Sequence, residues 1–177
     1  MIFDTHAHYD DEAFESDREE LLNSMHEGGV LGIVNASADI NSSLSSVKIS
    51  EKYPYVFAAV GVHPENLDGL SEDYTEQIKK IATEHKKVVA IGEIGLDYHF
   101  RSDNKEKQIE VFENQVKLAN FLDLPVIVHD REAHKDTFDI LKKYNPKGIV
   151  HCFSGSVEMA KELVKLGMKL GIGGVLT

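Results

Sequence analysis

Short runs of Val, Ile and other apolar residues alternate along the chain with longer stretches whose apolar positions recur every three or four residues. The short runs predict strands near Ile2–His6, Val30–Ala36, Val56–Val62, Val88–Ile94, Val126–His129, Ile149–Cys152 and Met168–Ile172. Most show little polar alternation, as expected of strands covered on both faces. The longer stretches predict amphipathic helices. Phe14, Leu21, Leu22 and Met25 share one face, and Ile109, Phe112, Val116 and Ala119 share another. Ser71, Asp103 and Ser156 are the expected N-caps, and Gly28 and Gly167 the expected helix stops. The stretch Asp39–Tyr53 is rich in serine and carries the weakest helical pattern.

Strand–helix alternation repeated this often predicts a parallel α/β sheet, either open and doubly wound or closed into a barrel. No G-x-G-x-x-G follows the first strand, and no G-x-x-x-x-G-K phosphate loop occurs. The strand ends decide between the two. Four runs, Met1–Phe3, Val88–Ile91, Val126–Val128 and Ile149–Val150, stop at or beside metal-capable side chains: His6 and His8, Glu93, His129 and His151. A fifth, Val56–Val62, ends in His63-Pro64. An open sheet concentrates its site at one switch point, whereas a barrel gathers every strand C-terminus into one ring. The expected fold is therefore an α/β TIM (β/α)8-type barrel in one domain, residues 1–177. Its seven strands and six helices fall short of eight of each, which typically need about 250 residues. The expectation is a barrel truncated at its C-terminal side, by nature, by a split gene or by cloning.

Charge and cysteine content narrow the function classes. With 30 acidic against 19 basic residues the net charge is −11, which repels nucleic acid and anionic lipid at long range. Broad coating of DNA is excluded; a phosphodiester substrate is not, because bound divalent cations reverse the local field. The single cysteine, Cys152, leaves no intrachain disulfide and reads as packing toward the helix layer. No apolar run approaches the roughly 18 residues of a membrane span, and no cleavable leader precedes the first strand. These features predict a soluble, cytoplasmic protein.

The strand-end residues suggest metal chemistry. His6 and His8 are spaced i, i+2 in an extended segment and so share a face, aimed with Ile2 and Asp4 into the barrel. Glu93 stands in an otherwise apolar run, where an ionised carboxylate is costly unless a cation compensates it. No basic residue lies in the adjacent runs, and a carboxylate is able to bridge two metals. Four imidazoles with one carboxylate suffice for a two-metal centre, filled by Zn²⁺, Mn²⁺, Mg²⁺ or Ni²⁺. His63, held extended by Pro64, suits either a donor to a phosphate or leaving oxygen, or a structural turn. Arg131 fits an anionic-substrate contact or a surface ion pair. The Phe153-Ser154-Gly155-Ser156 turn opens a helix N-terminus, either an anion seat or a plain Ser156 cap.

These residues together resemble the TatD-type metal-dependent hydrolases, many of them DNases, among the amidohydrolase-like barrels. The matching stretches are Phe3–His8, Gly61–Pro64, Gly92–Tyr98, Pro125–His129 and His151–Gly155. The resemblance implies two divalent cations and hydrolysis of DNA phosphodiesters. One cation would be held by His6, His8 and Glu93, the other by Glu93, His129 and His151. Glu93 and His63 would be catalytic, with His63, Arg131 and Ser154 on the substrate. The family's further aspartate, at the end of the eighth strand, has no counterpart here, which implies weakened activity. The alternatives are a non-catalytic fragment that binds metal or self-associates through open barrel edges, and an amide or ester hydrolase on the same barrel.

Overall fold

The structure, a computed structural model, describes residues 2–174; Met1 and residues 175–177 lie outside the described residues, as does the start of the Met1–Phe3 run. Strands and helices alternate strictly: β1 (Ile2–Ala7), α1 (Arg18–Glu27), β2 (Val30–Ala36), α2 (Ile40–Lys52), β3 (Val56–Val60), α3 (Tyr74–Glu84), β4 (Val88–Asp97). They continue as α4 (Lys105–Leu122), β5 (Val126–Arg131), α5 (His134–Tyr144), β6 (Gly148–Val150), α6 (Val157–Lys165) and β7 (Lys169–Leu170). The strands pair in sequence order, β1 to β7, and every pair is parallel. This is the wall of a TIM-type barrel, with β1 and β7 each paired on one side only among the described residues. No helix among them is long and apolar enough to cross a membrane.

Side-chain parity along the strands separates two apolar layers. Ala58, Val60, Ile91, Val126, Val128 and Val150 pack outward against Ile78, Phe112, Val116, Leu141 and Leu163 of the helices. Val34, Ala59, Ala90 and Ile127 form a smaller cluster on the inner face. His63, His129 and His151 each directly follow an outward residue, Val62, Val128 and Val150. The pleat turns His129 inward, and the contacts of His63 and His151, just past β3 and β6, with Glu93 put them on the same side.

Local chemistry explains where the elements begin and end, and corrects several expectations. α2 forms despite its serines because Asp39 and Ser42 make a reciprocal capping box. Ser43, Ser46 and Ser50 are fully buried, so the serine face packs on the sheet. Ser156 does cap α6, accepting from the Met159 N–H at 3.1 Å. Ser71 and Asp103 do not cap. The Ser71 hydroxyl donates to Asp73, which itself precedes α3, and Asp103 pairs with the Arg101 guanidinium while Asn104 precedes α4. Cys152 does not pack into the helix layer either. It is exposed, with a left-handed φ of 42°.

Candidate metal centre

Five imidazoles from four strand ends close on one carboxylate. Glu93 is 3% exposed, and its backbone N–H donates to the Ser37 carbonyl at 2.8 Å. Its Oε2 lies 2.8 Å from His6 Nε2 and 3.3 Å from His8 Nε2. Its Oε1 lies 2.5 Å from His151 Nε2, 3.0 Å from His129 Nδ1 and 3.7 Å from His63 Nε2. The His6 and His8 rings meet edge to face, so the i, i+2 spacing does put both on one side. The His6 and His151 rings stack with centroids 3.9 Å apart, bringing together the ends of β1 and β6, which do not pair in the sheet. His8, 41% exposed at its side chain, is the open side of the cluster.

Electrostatics in the cluster divide the rings. Burial alone would push the Glu93 carboxyl up, but His129, His151, His6 and His8 outweigh it and hold it well below its ordinary value. Glu93 in turn raises His8. Burial opposes the charge on His129, and Glu93 with Asp97 overcomes it, so His129 is raised. Burial wins at His151, which is lowered, and at His63, which is pushed down to about 4. Glu93 thus favours the charge on His8 and His129, while burial opposes it on His151 and His63.

The hydrogen bonds on the far side of His8 and His63 show which nitrogen is free. His8 Nδ1 is 2.8 Å from the Ala36 carbonyl, an acceptor, so it carries the proton and Nε2 presents its lone pair to Glu93. His129 has a carboxylate oxygen on each side, Asp97 Oδ2 2.9 Å from Nε2 and Glu93 Oε1 3.0 Å from Nδ1, with His151 Nε2 3.3 Å from the same Nδ1. His63 is the reverse of His8. Its Nδ1 accepts from the Glu65 N–H at 3.3 Å, so Nε2 is the N–H. Lone pairs crowded against carboxylate oxygens repel unless protons or a cation lie between them, and His151 Nδ1 is buried without a partner. Imidazole nitrogens with a carboxylate are the donor set of Zn²⁺ and similar divalent ions, so the residues present fit such a metal.

Proximity alone sorts the ligand-capable atoms into His6–Glu93–His151 and His63–Glu93–His129. Tautomers argue otherwise for His63, because an N–H cannot coordinate. The two Glu93 oxygens give the more physical division: His6 and His8 on one, His129 and His151 on the other.

Two expected site residues stand apart from the cluster. Arg131 ends β5 exposed and forms no ion pair within 4 Å among the described residues, although its charge helps to lower Asp97. Ser154 is exposed in the turn before α6. Two buried residues escaped sequence reasoning. Asp97, 1% exposed, lies within the Gly92–Tyr98 stretch and touches His129. Gln108, 1% exposed, accepts from the Asp97 N–H at 2.8 Å and donates to the Asp97 carbonyl at 3.0 Å. The signal was available for Asp97: a carboxylate three residues past an apolar strand run needs a partner.

A parallel barrel wall that aims strand-end imidazoles and one buried carboxylate at a common point is the architecture of a metal-dependent hydrolase. Residues 3–177 match the TatD-related DNase family, and the chain belongs to that family. It is 40% identical over 180 residues to the uncharacterized metal-dependent hydrolase YabD of Bacillus subtilis, covering 100% of this chain and 70% of that protein. It is 33% identical over 177 residues to a 3'-5' ssDNA/RNA exonuclease TatD of Pantoea ananatis, covering 98% and 68%. The crystal structure of the TatD homologue YJJV of Escherichia coli superposes with a TM-score of 0.93 at 36% identity, over 99% of this chain and 69% of that one.

Proposed function

We propose that the chain hydrolyses DNA phosphodiester bonds with two divalent cations, His6, His8 and Glu93 holding one and Glu93, His129 and His151 the other. One observation carries this reading: the two oxygens of the buried Glu93 carboxylate each face a different pair of imidazoles. When bound, such a pair supplies a water acidified to near neutral pH and a clamp for the attacking and leaving oxygens.

The chain's own residues do the rest. Glu93 joins the two halves of the site and keeps its charge because four histidines stabilise it. His63 points its Nε2–H into the cluster, where it donates to a phosphate or leaving oxygen. Arg131, without an ion pair among the described residues, offsets the negative charge of the incoming strand, and Ser154 adds a hydroxyl donor at the turn before α6. The exonuclease name of the Pantoea ananatis relative and the family's description support a phosphodiester over an amide.

The test is metal stoichiometry by equilibrium dialysis, together with a panel of phosphodiester and amide substrates assayed with Mn²⁺ or Mg²⁺. The expected result is two ions per chain, loss of binding in Glu93→Ala and His129→Ala, and chelator-sensitive hydrolysis of phosphodiesters only. Unchanged stoichiometry in both variants overturns the site; amide hydrolysis alone overturns the substrate class.

A further inference from the structure

We propose that Asp97 is a positioning residue that holds His129 in its Nε2–H tautomer, so that Nδ1 is the nitrogen offered to the cation. The inference rests on His129 being a cation ligand, as read above. Both Asp97 oxygens are committed: Oδ2 accepts from His129 Nε2 at 2.9 Å and Oδ1 accepts from the Phe100 N–H at 2.7 Å. The carboxylate cannot swing away, because Gln108 grips the Asp97 peptide N–H and carbonyl. The Gln108 amide is itself fixed: its two N–H hydrogens are shared among the Asp97 carbonyl at 3.0 Å, the Arg101 carbonyl at 2.8 Å and Asn104 Oδ1 at 2.7 Å. β4 runs on to Asp97, with Gly95 paired to His129, which sets the acid beside the outer edge of the ring. A carboxylate behind a ligating histidine fixes its tautomer and raises its basicity.

One substitution inverts the arrangement. In Asp97→Asn the Phe100 N–H still requires an acceptor, so the amide oxygen stays there and the NH₂ turns to His129 Nε2. Nε2 must then accept, the proton moves to Nδ1, and the lone pair facing Glu93 is lost. The side chain is nearly isosteric.

The experiment measures Zn²⁺ affinity by competition with a chelator for wild type, Asp97→Asn and His129→Ala. Long-range ¹H–¹⁵N spectra of the metal-free proteins at pH 9 give the His129 tautomer. Expected are an Nε2–H tautomer in wild type, an Nδ1–H tautomer in Asp97→Asn, and Zn²⁺ binding weakened about 10–100-fold in that variant, close to His129→Ala. Wild-type affinity in a folded Asp97→Asn overturns the proposal, and so does an unchanged tautomer. Should that variant not fold, the wild-type spectrum still decides: an Nδ1–H tautomer there overturns it. If His129→Ala binds Zn²⁺ as tightly as wild type, the metal-site reading fails instead.

Discussion

Gln115 makes both of its amide hydrogen bonds to a single residue, Val62: Oε1 accepts from the Val62 N–H at 2.8 Å, and Nε2 donates to the Val62 carbonyl at 2.9 Å. Gln108, seven residues earlier on α4, treats Asp97 the same way. A strand running past its ladder partners leaves a donor and an acceptor bare, and an amide is the uncharged side chain that satisfies both. The i, i+7 spacing sets both glutamines on one face of α4. One helix thereby holds the exits of β3 and β4, which carry His63, Glu93 and Asp97.

Gln115→Leu strands the Val62 N–H and carbonyl in the core, where Val62 is 1% exposed. The expected loss is about 2–4 kcal/mol at unchanged m-value, from two buried groups left unpaired. Urea unfolding checks it; a variant within about 0.5 kcal/mol of wild type contradicts the clamp.

His63 and His129 should separate kinetically. His63→Ala removes a donor and no lone pair that faces Glu93, so cation stoichiometry stays and kcat falls about 10²-fold or more. His129→Ala loses cation affinity as well. Zinc dialysis beside single-turnover assays of the two variants distinguishes the roles, and equal loss of metal in both would place His63 among the ligands.

Gly95 has φ 150°, a region open in practice to glycine alone, and a Cβ there would run into the His129 carbonyl. Gly95→Ala therefore forces β4 away from β5. We expect a loss of about 2–3 kcal/mol in thermal unfolding and weaker cation binding, since His129 moves with its strand. A wild-type melting midpoint would refute the close approach.

Glu113 on α4 ties α5 in place, accepting from Lys143 Nζ at 2.8 Å and from the Tyr144 hydroxyl at 2.9 Å. Lys143 holds the Glu113 carboxyl below its ordinary value of 4.5. A depressed carboxyl contributes stability that is present above its unfolded value and is lost as pH falls through the folded one. The side chain is partly open to solvent, so the contribution is about 0.5–1 kcal/mol. The gap between wild type and Glu113→Gln in urea should be full at pH 7 and shrink as pH falls below the ordinary carboxylate value. A gap that does not shrink with acid would mean that shape, not charge, holds the contact.

Much of this was legible in the chain, and the misses have physical causes. The apolar runs placed every strand within a few residues. β4 alone reaches well past its run, to Asp97, because Leu96 and Asp97 continue the ladder with β5. The caps at Ser71 and Asp103 misled because a nearby side chain, Asp73 or Arg101, competes for each. Cys152 was misplaced because parity fails where β6 ends at Val150 and the backbone turns left-handed.

The sequence by itself determined the alternating elements, the parallel barrel class and the six residues of the central cluster. Periodicity and residue type are properties of neighbours along the chain. Only the tertiary structure decided how those six are oriented. The division of Glu93 between two imidazole pairs, the tautomer of His8, and the grip of Gln108 and Asp97 behind His129 all depend on partners far apart in sequence. A hydrogen bond between residues 32 apart, as from His129 to Asp97, exists only once the strands that carry them lie side by side.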